Sequence, residues 1–179
     1  MLPAEYLIRV TALLDELGMP AEYIVHRQLP LFFEPAELVL AEAGPDGREY
    51  LLTPEAVIAW RQLSAAAAQD GVLLSLASAF RSLGRQADII RRKQSLGLSL
   101  EQILSASAPP GYSEHHTGRA IDIATPGCPP FEEAFESTEA FGWLSKHAGS
   151  FGFTLSYPRG NKYGYVFEPW HWCYCAEDT

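Results

Sequence analysis

The stretch GRAIDIA, residues 118–124, sets a carboxylate in the middle of an alternating apolar segment. Such alternation is the mark of a strand with two unlike faces. Ile121 and Ile123 fall on one face and belong to a core. Ala120, Asp122 and Ala124 fall on the other, where the alanines leave room in front of the carboxylate. A buried carboxylate is costly unless paired, so Asp122 requires an arginine, backbone N–H groups or a metal. The overlapping stretch SEHHTGRAID, residues 113–122, offers two histidines. Gly118 permits a tight turn that returns one of them over the face carrying Asp122. His115 or His116 with Asp122 then makes half of a metal site. The plainer alternative is a hydrogen-bonded loop pair.

A second stretch, FEPWHWCYC, residues 167–175, supplies Glu168 and His171. Three residues apart on an unbroken strand, they would face opposite ways. Pro169 cannot donate to a ladder and restricts the residue before it, so a bend there turns both side chains toward one point. Trp170 and Trp172 would wall that point with apolar surface. A histidine and a glutamate in a dry pocket suit a metal ligand beside a general base. The alternative is an aromatic core strand with a satisfied histidine. Together the stretches give His, Asp, His and a separate Glu. Those are the donors of a catalytic zinc site with one position left for water. A third stretch, SAFRS, residues 78–82, ends a strand with Arg81, whose fork of donors suits a carboxylate or a developing oxyanion. A structural salt bridge is the alternative for Arg81.

The rest of the chain organises around these pieces. Residues 3–17 form a helix with Tyr6, Leu7, Val10, Leu13, Leu14 and Leu17 on one face and Gly18 as its cap. Residues 38–43 and 49–52 flank a Gly-Pro-Asp-Gly turn and make a hairpin. Thr53 and Pro54 start a helix to about Gln69, which buries Val57, Ile58, Trp60, Leu63 and Ala67. Residues 72–80 form a strand, 82–94 a helix, 99–104 a short helix and 138–150 another helix. Residues 153–158 and 163–168 form a second hairpin. The fold expected is α+β, with helices packed on a mostly antiparallel sheet that carries a zinc site in a single domain. Residues 1–50 are an N-terminal helical and extended elaboration of a core over 51–179.

Thirteen basic against twenty-two acidic side chains give a net charge of −9. No basic stripe appears, which excludes nucleic acid as a partner. The one basic cluster, Arg85 to Lys93, reads as a solvated helix face. No apolar run spans a bilayer. The acidic, amphipathic start is unlike a secretory signal, so the chain is expected in the cytoplasm, or at the cell envelope if a leader has been removed. Cys128, Cys173 and Cys175 are too few and too unevenly placed for a disulfide framework. Cys173 and Cys175 are taken as small buried thiols, with a His/Cys metal cluster through them as a lesser alternative.

Taken in order, SAFRS with Gln86, SEHHTGRAID, WLSKHAGSFGF (143–153) and EPWHW (168–172) resemble the pattern of VanY-type zinc D,D-carboxypeptidases. That group is related to the vancomycin-resistance D,D-dipeptidases, L,D-carboxypeptidases and peptidoglycan endopeptidases. The resemblance covers about residues 50–175. It implies Zn2+ held by His115, Asp122 and His171, Glu168 as catalytic base and Arg81 stabilising the transition state. In its pattern the histidine seven before the aspartate is the ligand, which selects His115 over His116. Ser113 and Gln86 match positions that line the substrate site, with Trp170 beside them. After EPWHW the family commonly has Arg-Tyr, where this chain has Cys173 and Tyr174. The implied function is release of terminal D-alanine from a peptidoglycan stem peptide or precursor. L,D-carboxypeptidase, endopeptidase and a non-catalytic peptidoglycan-binding module are the alternatives.

Overall fold

The structure is a computed structural model that describes residues 3–175. Helix α1, Pro3–Glu16, ends where Gly18 takes φ +65. The Gly18 N–H donates to the Asp15 carbonyl and the Met19 N–H to that of Leu14, a paired closure that leaves the last carbonyls satisfied. Tyr6 and Val10 pack against Leu83, and Leu17 joins Ala87, Ile90, Ile103 and Leu104. Leu7 is 46% exposed, outside the face expected for it, because that contact is narrower than the full apolar stripe. A six-residue helix α2, Ala21–His26, follows where only extended chain was expected.

Strands β1, Val39–Ala43, and β2, Glu49–Leu52, form the expected antiparallel hairpin, with an irregularity between Leu40 and Glu42. Helix α3, Pro54–Gln69, buries Val57, Trp60, Leu63 and Ala67. Ile58 faces solvent, one position off the buried stripe. Strand β3, Ser75–Ser78, is shorter than the apolar run 72–80. Helix α4, Leu83–Ser95, is capped by the Ser82 hydroxyl, which accepts from the Arg85 N–H. Ser99 and Gln102 form a reciprocal capping box on α5, Leu100–Ala106. Strand β4, Ala120–Ala124, helix α6, Glu139–His147, and strands β5, Phe153–Leu155, and β6, His171–Tyr174, complete the domain.

The larger sheet runs β3-β4-β6-β5, antiparallel throughout. Its register sets Ser78, Asp122 and His171 in one row across three strands. Ile121 stands opposite Trp172 on the other face. That other face is the core: Ile121, Ile123 and Trp172 pack with Trp60 and Leu63 of α3 and with Trp143 and Leu144 of α6. One side of the sheet is thus sealed, and the row Ser78–Asp122–His171 occupies the side that is not.

The second hairpin expected from residues 153–158 and 163–168 is absent. β5 pairs instead with β6. Asn161 diverts residues 163–168 from the sheet: its side chain accepts from the Tyr165 N–H and donates to the Tyr165 carbonyl. The Val166 N–H then donates to the Ser105 carbonyl. Tyr157, Tyr163 and Tyr165 meet in an aromatic cluster, so the alternation that resembled a strand serves ring packing.

Candidate active site

Asp122 and His171 are direct cross-strand neighbours, which puts their side chains on one face within contact distance. Asp122 Oδ1 lies 2.9 Å from His171 Nδ1, and Asp122 Oδ2 lies 3.1 Å from His115 Nε2. His115 arrives from a 3-10 turn, Glu114–Thr117. That turn closes at Gly118, which adopts φ +65 and sits so close to Leu38 that a Cβ there would come within 2.8 Å of its Cδ2. The backbone angle favours glycine at this position, and a Cβ would in addition displace the Leu38 side chain.

The same turn fixes Arg81. The Arg81 N–H donates to the His115 carbonyl, and the Arg81 carbonyl lies 2.6 Å from His116 Nδ1. His116 Nε2 accepts from the Gly111 N–H at 3.0 Å. His116 is therefore a fully buried staple and not a partner of Asp122, the alternative to His115 that the sequence allows. The Arg81 side chain donates from Nε to Ser78 Oγ at 2.8 Å and pairs through Nη2 with Asp122.

Hydrogen-bond partners settle which ring nitrogens face the centre. His115 Nδ1 is 2.7 Å from the Ala79 carbonyl. A carbonyl only accepts, so Nδ1 carries the proton and Nε2 presents its lone pair to Asp122. A lone pair and a carboxylate oxygen facing each other are reconciled by a shared cation. His171 Nε2 lies 3.0 Å from Glu114 Oε2, which leaves Nδ1 for the centre. One donor atom each from His115, Asp122 and His171 lies within 4.8 Å of the others, the one such group among the described residues. Tetrahedral zinc with bonds of about 2.1 Å holds its ligand atoms about 3.4 Å apart, inside that spread. The donor set and its buried, hydrogen-bonded setting fit a metal ion. Cys173 lies outside this group, beside Ala120 and Thr154 in the sheet.

Electrostatics separate the acidic groups. Burial opposes the charge on Asp122, but His115, Arg81 and His171 outweigh it and hold its carboxyl well below the usual range. His115 falls to about 4, chiefly through burial, with Arg81 adding to the effect. Burial also opposes charge on His171, yet its bonds to Asp122 and Glu114 raise it to about 10. Glu168 lies 3.9 Å from His171 Nδ1 and is pushed up to about 7, mainly by burial. A turn in which the His171 N–H donates to the Glu168 carbonyl aims both side chains into the same space.

These groups line a cleft of about 670 Å³. Ser113, Gln86 and Trp170 line it too. Gln86 is buried, donates from Nε2 to the Ala108 carbonyl and leaves Oε1 without a partner. Trp170 packs edge-on against Phe131, whereas Trp172 turns into the core and donates to the Pro169 carbonyl. Trp172 therefore does not wall the site as expected, because successive strand residues face opposite ways. Two features escaped the sequence reading. Glu114 holds the far nitrogen of His171; its place beside His115 was the available signal. Arg85, Arg92 and Lys93, read as a solvated face, border the cleft with Gln86 and Ile89. Their spacing, i, i+1, i+4, i+7 and i+8, is that of one helix face.

Comparison with known proteins adds independent findings. A family model described as VanY, D-alanyl-D-alanine carboxypeptidase, matches residues 49–177. YodJ of Bacillus subtilis (strain 168), a provisionally named carboxypeptidase, is 33% identical over 168 residues, covering 86% of this chain and 59% of that protein. The chain thus spans less than two thirds of that relative. The LdcB LD-carboxypeptidase, whose structure concerns peptidoglycan recognition, matches with a TM-score of 0.70 at 33% identity, over 81% of this chain and 71% of that one. The vancomycin-resistance D,D-pentapeptidase VanY of a VanB-type cassette, solved as a point mutant in complex with Zn(II), matches with a TM-score of 0.62 at 28% identity, over 83% and 88%. Among the described residues no helix is long and apolar enough to cross a membrane.

Proposed function

The chain belongs to the VanY family of D-alanyl-D-alanine carboxypeptidases, and from that premise we propose that it hydrolyses the C-terminal peptide bond of a peptidoglycan stem peptide, releasing D-alanine. The observation that carries this is the convergence of His115, Asp122 and His171 beside a glutamate outside that ligand group, Glu168, in one cleft. His115 through Nε2, Asp122 through its carboxylate and His171 through Nδ1 are the ligands for zinc, the ion held by the VanY relative. Bound there, zinc supplies Lewis acidity at the scissile carbonyl and makes water a stronger acid. Glu168 takes the proton from the attacking water and returns it to the leaving amine. A carboxyl with its affinity for protons raised to near neutrality suits both halves of that exchange. Arg81, anchored by Ser78 and Asp122, faces the carbonyl oxygen as negative charge develops there. Ser113, Gln86 and Trp170 bind the peptide. The free Gln86 Oε1 accepts a substrate N–H.

The likeness to LdcB favours a second reading, L,D-cleavage of a tetrapeptide. Zinc-loaded protein incubated with stem pentapeptide and tetrapeptide, followed by mass spectrometry, tests both. Free D-alanine from the pentapeptide alone supports D,D-cleavage, and from the tetrapeptide alone L,D-cleavage. Release from neither overturns the proposal.

A further inference from the structure

The cleft carries charge of the opposite sign to the whole molecule. Arg48, Arg81, Arg85, Arg92 and Lys93 line it, five of the chain's 13 basic residues, against three of its 22 acidic ones, Glu49, Asp122 and Glu168. A basic pocket in an acidic protein receives an anion. Arg81 is committed to Ser78 and Asp122, and Arg85 and Arg92 stand exposed, where solvent screens them. Lys93 differs. It is partly buried, donates to Ser107 Oγ at 2.6 Å and makes no ion pair among the described residues. Both it and Glu168 line the cleft, and their charges act on each other, so the two stand near one another there.

That position has a chemical meaning within the peptidase reading, on which this inference rests. Water adds to the scissile carbonyl, the C–N bond breaks, and the proton held by Glu168 goes to the departing nitrogen. In a terminal residue the free carboxylate is one carbon beyond that nitrogen. A cation that neutralises it must therefore stand on the Glu168 side of the cleft. We propose that Lys93, with Ser107 beside it, binds the terminal carboxylate of the residue that leaves. It thereby restricts cleavage to free chain ends. The ligand class is a peptide α-carboxylate.

Two peptides identical but for a free carboxylate or a carboxamide at the C-terminus provide the test, with kcat/KM compared on each enzyme's pH-independent plateau. Zinc-loaded wild type should prefer the free acid by about 10- to 100-fold, the scale of a charge-assisted hydrogen bond in a partly buried site. Lys93→Met should lose that factor on the free acid, mainly in KM, and leave the amide unchanged; Lys93→Arg should restore part of it. Ser107→Ala, which keeps the cation, should lose a smaller factor on the free acid alone. Equal losses of Lys93→Met on both peptides would mean that the lysine only holds α4 in place, and a preserved preference would mean that another group binds the carboxylate. Either result overturns the inference while leaving the peptidase reading intact. A wild-type enzyme that cleaves neither peptide removes the reading and the inference together.

Discussion

Glu114 and Asp122 grip the His171 ring from opposite sides, with Glu114 Oε2 3.0 Å from Nε2 and Asp122 Oδ1 2.9 Å from Nδ1. A ring held at its far nitrogen by a carboxylate is a better-oriented and more basic ligand. Glu114→Ala should weaken zinc binding by about 10- to 100-fold. Glu114→Gln, whose amide oxygen still accepts, should weaken it less. Competition with a chromophoric chelator measures both. Unchanged affinity in Glu114→Ala would show that the contact does not serve the metal.

Without metal, the raised proton affinity of His171 makes stability depend on pH. The folded state keeps the proton up to about 10, whereas an unfolded histidine loses it near 6.5. Between those values the native state binds more protons, so stability falls as pH rises. One proton sets a slope of at most about 1.4 kcal/mol per pH unit. Below 6.5 the contribution is fully present. Glu168, raised from 4.5 to about 7, contributes its own fall only between those values. His115, lowered to about 4, acts only below 6.5 and with the opposite sign, so His171 dominates the slope above neutrality. Urea denaturation of chelator-treated protein from pH 6.5 to 10 should show this decline, and His171→Asn should flatten it. A wild-type profile level across that range contradicts the assignment.

Glu168 should separate turnover from metal binding. Glu168→Ala leaves His115, Asp122 and His171 in place, so zinc remains at wild-type stoichiometry while peptide release stops. In the wild type the base form gains as pH rises, and zinc adds a positive charge that favours ionisation. The acid limb of kcat/KM therefore falls at or below about pH 7. Near-full activity in Glu168→Ala would reassign the base.

Arg81→Ala should reduce kcat by on the order of 10²–10³, the usual cost of one lost oxyanion donor. Steady-state kinetics beside a zinc assay reads this. A loss confined to zinc content would make Arg81 a support for Asp122 alone.

Much of this site was legible because strand alternation is local. Asp122 between Ile121 and Ile123 declares a buried carboxylate before any neighbour is known, and Pro169 between Glu168 and His171 declares the bend. What escaped depends on the far side of each contact. The face of α4 bearing Arg85, Arg92 and Lys93 has the periodicity of a solvated helix, and only the position of the cleft shows otherwise. His116 is as polar as its neighbour, yet the carbonyl of Arg81 and the N–H of Gly111 turn it into a staple. Residues 163–168 alternate like a strand, and one side chain, Asn161, overrules them by capturing Tyr165. Helix α2 is too short for periodicity to register.

The central claim is that His115, Asp122 and His171 hold one zinc ion on which peptide cleavage depends. The direct measurement is zinc content per chain, by mass spectrometry of the element, in wild type and in Asp122→Ala after the same zinc loading and desalting. The account predicts one zinc per wild-type chain and essentially none in the variant. An Asp122→Ala protein that keeps a full equivalent contradicts it.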